Sequence, residues 1–424
     1  MKPLIFLSEI IFAGLALIYL FFQKILIHII CIYRDSKSPF KNDPDFLEIN
    51  NVALTKNYVK IDGYMHLVSQ CGNKNAEEKN TIIMMGGIPS NPSESLYWMA
   101  AELCSKDSNL LIYIVHLPFY ESYSKINLDK DQTYATHNAN ALPFNRKIDM
   151  RKVRVDSKFS HVNQAVSTYK IIKKLGINRA NFVGHDRGVV VFEHLLLNHP
   201  EIFISFSRGA QIWDYFESEW LALAPKICVG PPHGFFIAPF QLKFLFSIIT
   251  FFKLPFGITE IQQNLKNAIK GSEAYDRITH LIFKTNNPSK DFLLKFRQTM
   301  LQTNSLAEVK NRAYLKKLDI KIMQFQGEDE FKYGKNGKLI SDQPYFGIYN
   351  LFKNEVEDLY PGCIGQEKVK KRENLIEEKK HYKKLKLLPS SKMHTFALIP
   401  KSAHFNVIEN PKGCAHAVYD FIKS

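Results

Sequence analysis

Phe182-Val183-Gly184-His185-Asp186-Arg187-Gly188 combines a carboxylate with the spacing of a sharp turn. Apolar residues run into Gly-x-Asp-x-Gly, and an apolar helix-like run, Val189 to Leu197, follows. A strand that turns at once into a helix leaves no room for side chains at the flanking positions. Gly184 and Gly188 meet that demand, and the central residue is expected in a strained, exposed pose. With aspartate at the centre the chemistry changes. A carboxylate is anionic at neutral pH and attacks without a base. It suits a saturated carbon bearing a leaving group, and the product is an alkyl-enzyme ester. A serine-type ester hydrolysis has no support here.

Three further groups fall in order around that turn. Gly86-Gly87-Ile88-Pro89 ends an apolar run, where backbone N–H groups can point at a reacting oxygen. The N–H groups of Ile88 and Arg187 are the expected oxyanion hole. Gly327-Glu328-Asp329-Glu330 closes a later apolar run and offers an acid. Ser402-Ala403-His404-Phe405 follows the last strand candidate and leads to Glu409-Asn410-Pro411. His404, oriented by the acid, would activate water against the ester at the Asp186 carbonyl. No metal motif or nucleotide-binding glycine loop is visible, and this chemistry requires no cofactor.

In these residues the chain resembles an α/β-hydrolase of the epoxide hydrolase and haloalkane dehalogenase-like branch. GHDRG, GGIP in place of HGxP, and SAHFNVIENP in place of GHF/W…E-x-P carry the resemblance, from about Tyr58 to the C-terminus. It implies Asp186 as nucleophile, His404 as base, and an acid that the register puts at Glu330, with Asp329 one residue away. Dehalogenases of this kind commonly hold halide at the positions of Arg187 and Ile88, using tryptophan and asparagine. Many place the acid at the position of Ala210, where Asp214 is the nearest carboxylate. Fluoroacetate dehalogenases add a second arginine at the position of Val190. Epoxide hydrolases put the acid after the lid, as here, and use lid tyrosines as proton donors. Phe296-Arg297 stands where that family often has Tyr-Arg, which leaves Tyr215, Tyr275 and Tyr314.

The elements that must position these groups alternate between strand and helix. Tyr58 to Gln70 reads as two strands joined at Asp62-Gly63. Thr81 to Met85, Leu110 to Leu117, Asn181 onward, Ile202 to Phe206, Ile320 to Phe325 and Phe396 to Ile399 read as strands. Apolar residues at 162, 165, 166, 169 and 172 make a helical stripe. This predicts an α/β class with a mostly parallel sheet flanked by helices. Residues 213–318 lack strand rhythm and are expected to form an inserted helical lid. Its aromatic block, Gly234 to Phe256, packs the lid, lines a channel or dips into a membrane. The charge run Glu367 to Lys386, inside a charged insertion at about 331–390, is expected to form an exposed helix.

Apolar content of 46% makes the chain globular, and its net charge is +15. A nucleic-acid partner is not expected, because no basic stretch is interleaved with a recognition motif; an anionic membrane surface suits the charge better. Residues 4–22 are apolar apart from Ser8 and Glu9. At 1.5 Å per residue they span roughly 28 Å, close to a bilayer's hydrocarbon thickness. Residues 1–40 are therefore read as a single-pass transmembrane anchor and juxtamembrane segment, and 41–424 as the α/β-hydrolase domain. Lys24, Arg34, Lys37 and Lys41 follow the apolar block, which places that domain on the cytoplasmic side. The six cysteines are far apart and read as buried or free thiols. Small apolar substrate and membrane lipid are the expected partners.

Overall fold

The Asp62-Gly63 turn has positive φ at both residues, 49° and 84°, the geometry that a two-residue hairpin demands. It joins β2 (Val52–Ile61) to β3 (Tyr64–Gly72), and β1 (Phe46–Ile49) pairs with β2 on the outer side. The computed structural model describes residues 46–87, 94–118, 161–210, 319–328, 376–391, 393–402 and 404–424, with a few helical positions between 14 and 25.

Beyond the hairpin come β4 (Thr81–Met85), β5 (Leu111–Val115), β6 (Ala180–His185), β7 (Phe203–Gly209), β8 (Lys321–Gly327), β9 (Ile376–Glu378), β10 (Lys383–Leu385) and β11 (Thr395–Ile399). Among the described residues these strands form one sheet, in the order β1-β2-β3-β5-β4-β6-β7-β8-β11-β10-β9. The run from β5 to β11 is parallel, and both flanks are antiparallel. Parallel strands must be covered on both faces, and β4 shows how. Ile82 and Met84 enter a core shared with α1 (Tyr97–Lys106), the short α4 (Asn406–Glu409) and α5 (Pro411–Lys423). Ile83 and Met85 enter the opposite core, with α2 (His161–Lys174) and α3 (Arg187–Asn198). The expected α/β class with a mostly parallel centre is what the chain forms.

Two local expectations need correction. Helix α2 forms where the stripe put it, but its buried face is His161, Gln164, Ala165, Thr168, Ile171 and Ile172, while Val166 is 47% exposed. Polar Gln164 and Thr168 can turn inward because their side chains find backbone carbonyls, those of Pro118 and Gln164. The charge run is not helical over its described part. Residues 376–385 form the β9–β10 hairpin at the sheet edge, with Leu385 opposite Ile376 and Lys383 opposite Glu378. Leu385 and Ile376 pack onto Phe396 and Leu398, and the charged neighbours blunt the edge. Two apolar residues that meet across a strand pair make no helical stripe.

The predicted lid, the aromatic block and most of residues 1–40 lie outside the described residues. Among the described residues no helix is long and apolar enough to cross a membrane. Leu15, Ile18, Phe21, Phe22 and Ile25 are helical and exposed. Cys71, Cys104 and Cys414 are buried free thiols, as expected, with the first two sulfurs 3.3 Å apart.

Helix α3 is bolted to the sheet by buried charge. Arg208 on β7 donates from Nε and Nη2 to Glu193 Oε1 at 3.0 and 2.6 Å, and from Nη1 to Gln324 Oε1 at 2.7 Å. Both members of the ion pair are fully buried. Removing one partner strands the other charge in the core, so Arg208→Met should cost about 3–5 kcal/mol of stability, measured by denaturant unfolding. Adding Glu193→Leu to that variant should recover part of the loss.

Candidate active site

The strand-to-helix elbow expected at residues 184–188 is formed. Asp186 follows β6 directly, occupies the cap position of α3, and has φ 49° and ψ −124°. Its N–H donates to Gly209 O at 3.0 Å, and its carbonyl accepts from the Val189 N–H at 3.0 Å. A non-glycine residue in such a region costs about 1–3 kcal/mol. Val189, Val190, Val191, Phe192, Leu195 and Leu196 on α3 are all essentially inaccessible, and each contributes about 1.5–3 kcal/mol. Their burial outweighs the strain severalfold.

Steric room at the elbow comes from glycines. A Cβ on Gly188 would overlap the carbonyl oxygens of Met85 and Gly86, and one on Gly184 would press on Val189. Gly87 is the tightest: a Cβ there would overlap Oδ2, Cβ and Cγ of Asp186. The carboxylate therefore lies against the loop that follows β4. This corrects one expectation, because Asp186 is only 4% exposed. The loop after β4 and His404 enclose it.

His404 arrives from the far side of the sheet. The loop after β11 is shaped by Lys401 at φ 56° and by the Ser402 hydroxyl, which donates to Ile399 O at 2.8 Å. Asn410 then ties the loop to α5, donating from Nδ2 to Pro400 O at 2.9 Å and accepting from Gly413 N at 2.9 Å. His404 Nε2 lies 3.9 Å from Asp186 Oδ1. Burial, and then the Arg187 cation, lower the His404 pKa from its ordinary 6.5 to about 3. The imidazole is neutral at physiological pH, the form a general base needs.

Arg187 opens α3, so its N–H has no partner one helical turn back and the helix N-terminus favours negative charge on Asp186. Its side chain is 8% exposed and also lowers His161, after burial and ahead of His194. Its place among the imidazoles had no counterpart in the sequence reading. Ala210, at φ 48° after β7, is fully buried and donates its N–H to Phe325 O at 3.2 Å, and it offers no carboxylate. Glu328, at the end of β8, is engaged by Lys383 Nζ at 2.9 Å. Ile88, Asp329, Glu330 and Asp214 lie outside the described residues.

His185 is the site residue that sequence reasoning passed over. It is buried, and its Nε2 lies 2.9 Å from the carbonyl oxygen of His404. Burial first, and then His404, lower its pKa to about 4, so it is neutral and can donate. The available signal was an imidazole at the end of an otherwise apolar strand. Among the described residues no group of three or more His, Cys, Asp or Glu could hold a metal ion.

Gly87→Ala is expected to displace the Asp186 carboxylate by an ångström or more and to lower turnover at least about 10²-fold. Kinetics set beside the variant's melting temperature would check that the loss is local.

No protein-family model matches the sequence, and no curated protein matches it. Among solved structures, the chain is similar to the epoxide hydrolase VrEH1 from Vigna radiata (13% identity, 87% of this chain and 98% of that one, TM-score 0.45). It is likewise similar to the epoxide hydrolase CorEH (11%, 87% and 99%, TM-score 0.47). A haloalkane dehalogenase DbeA-M1 loop variant from Bradyrhizobium elkanii gives 11% identity, 87% and 97% coverage and a TM-score of 0.43. Likenesses this remote carry nothing about substrate. The parallel sheet, with its elbow after β6 and His404 in the loop after β11, makes this an α/β fold that brings a carboxylate and an imidazole together beyond the carboxyl ends of its strands.

Proposed function

We propose that the protein is a hydrolase that opens an apolar epoxide through a covalent ester on Asp186. The observation that carries the reading is the carboxylate itself, held at a strained elbow between Gly87 and the neutral His404 imidazole 3.9 Å away. In the first step an Asp186 oxygen attacks an epoxide carbon and the ring C–O bond breaks. The alkoxide takes a proton from the lid, where Tyr215, Tyr275 and Tyr314 are the candidate donors. In the second step His404 removes a proton from water, and the hydroxide attacks the Asp186 carbonyl carbon. The N–H groups of Ile88 and Arg187 hold the oxyanion. The ester C–O bond then breaks, the departing alkoxide takes the carboxyl proton, and the imidazolium's proton returns to the tyrosinate, so the diol leaves with the carboxylate, imidazole and phenol restored.

Glu330 orients His404 in this scheme, with Asp329 as the alternative. Support for an acid after β8 comes from Ala210, which carries no carboxylate where the described end of β7 stops, and from Glu328, which Lys383 engages.

His404→Gln should retain the first step and lose the second. Incubated with a lipophilic epoxide, it should show the mass of enzyme plus one epoxide, absent in Asp186→Asn. No adduct across a broad epoxide panel would sink the proposal, and halide release from haloalkanes would assign the leaving group to carbon–halogen chemistry instead. In the parent enzyme a lowered His404 pKa keeps the base form populated as pH falls from 7. The acid limb of ester hydrolysis should therefore lie below the ordinary histidine value of about 6.5, and Arg187→Gln should move it upward.

The same proposal places the enzyme at a membrane, anchored by residues 1–33 with the hydrolase domain on the cytoplasmic side. The exposed helical Leu15, Ile18, Phe21, Phe22 and Ile25 support an apolar environment for that segment. Deleting residues 1–33 should move the protein from the membrane pellet to the soluble fraction; retention in the pellet would show that attachment lies elsewhere.

A further inference from the structure

Strand β11 stands three places from β6 in the sheet order. At about 4.8 Å per strand the histidine loop begins roughly 14 Å from the nucleophile's strand. The loop must reach back across β7 and β8 to bring His404 to Asp186. Its near end is held by Ser402 and Asn410, through the carbonyls of Ile399 and Pro400. Those contacts fix where the loop leaves β11. They leave open where it ends.

At the far end a hydrogen bond joins the loop to the elbow itself. His185 Nε2 donates to the His404 carbonyl oxygen at 2.9 Å, between residues 219 apart in sequence. Both imidazoles are buried, with ring centres 5.5 Å apart. The donor belongs to the residue before the nucleophile, and the acceptor to the backbone of the base. A shift of the histidine loop along the elbow would break this bond before it altered any contact made on β11.

We infer that His185 is a positioning residue that sets the distance between His404 and the Asp186 carbonyl. The inference rests on the two-step reading above and assigns His185 to its second step alone. Attack by Asp186 on substrate does not involve His404, so it should not depend on the tether. Hydrolysis of the ester needs His404 within reach of a water that faces the Asp186 carbonyl, so it should.

Two amide substitutions differ only in reach. The His185→Gln amide nitrogen is as many bonds from the backbone as Nε2, and can donate to the same carbonyl. The His185→Asn nitrogen matches Nδ1 and falls short. Both stay polar in a buried site, which keeps both variants foldable. With a lipophilic epoxide, rapid-quench mass spectrometry follows ester formation and ester decay separately. For His185→Asn, decay should slow about 10²-fold with ester formation within about threefold of the parent, so the adduct accumulates in turnover. His185→Gln should restore most of the decay rate. Equal decay in the two variants, or a parallel loss of both steps, overturns the positioning role alone. An ester that never forms in any variant, His404→Gln included, overturns the covalent reading and this inference with it.

Discussion

One backbone position carries the rest of the structure: Asp186, held at φ 49° with no room around it. Three glycines surround it, and each is required by a different neighbour. Gly188 faces the carbonyls that end β4, Gly184 faces the first turn of α3, and Gly87 faces the carboxylate. A strained residue persists only if its surroundings over-determine it. Here they do, because the strain is small beside the apolar burial of α3 between the sheet and α2. The elbow holds its pose because the helix has nowhere else to go.

The same helix gathers the charges of the site and separates their roles. Glu193 faces β7 and is fully neutralised by Arg208, which extends the polar network to Gln324 and Gln326 on β8. Arg187, at the helix start, lies in the other direction, where it lowers His404 and His161. A cation beside a general base has a definite cost and use. It weakens the base, since protonated imidazole is disfavoured, but in the proposed mechanism it also supports the anionic carboxylate and the oxyanion of ester hydrolysis. For a nucleophile that is already charged, the second effect matters in both steps and the first in only one.

Much of this could be read from the letters. The hairpin at Asp62-Gly63, the strand Thr81–Met85 and the Gly-x-Asp-x-Gly elbow announce themselves through local chemistry: positive φ, continuous apolar runs, absent side chains. Where the reading slipped, the deciding contact lay outside the pattern of apolar letters. Val166 reads as a core residue in α2 until Gln164 and Thr168 find carbonyls that let a polar face turn inward. The charge run 376–385 reads as a solvated helix until Leu385 meets Ile376 across a hairpin. His185 reads as one more strand residue, because the carbonyl it bonds lies more than two hundred residues away. Asp186 was legible as the centre of the elbow, but its enclosure was not, since Gly87 of the loop after β4 and His404 of the loop after β11 lie against it.

That enclosure bears on what the site can do. A buried carboxylate is an effective nucleophile only if water does not solvate it and if the developing leaving group finds a donor. Gly87 and His404 exclude water from two sides without supplying that donor. His404 is neutral and, in the proposed mechanism, is reserved for the second step; Arg187 lies near enough to His404 to lower its pKa. In the proposed mechanism the donor enters from above the carboxyl ends of the strands, and the sequence between β7 and β8 is the candidate to supply it. The division of labour follows from geometry. In the proposed mechanism the sheet and its two loops fix the nucleophile, the base and their separation, and they are indifferent to the leaving group. The proposal assigns the choice of saturated carbon to residues 213–318, so a change of substrate class made there would leave Asp186, His404 and the tether between them untouched.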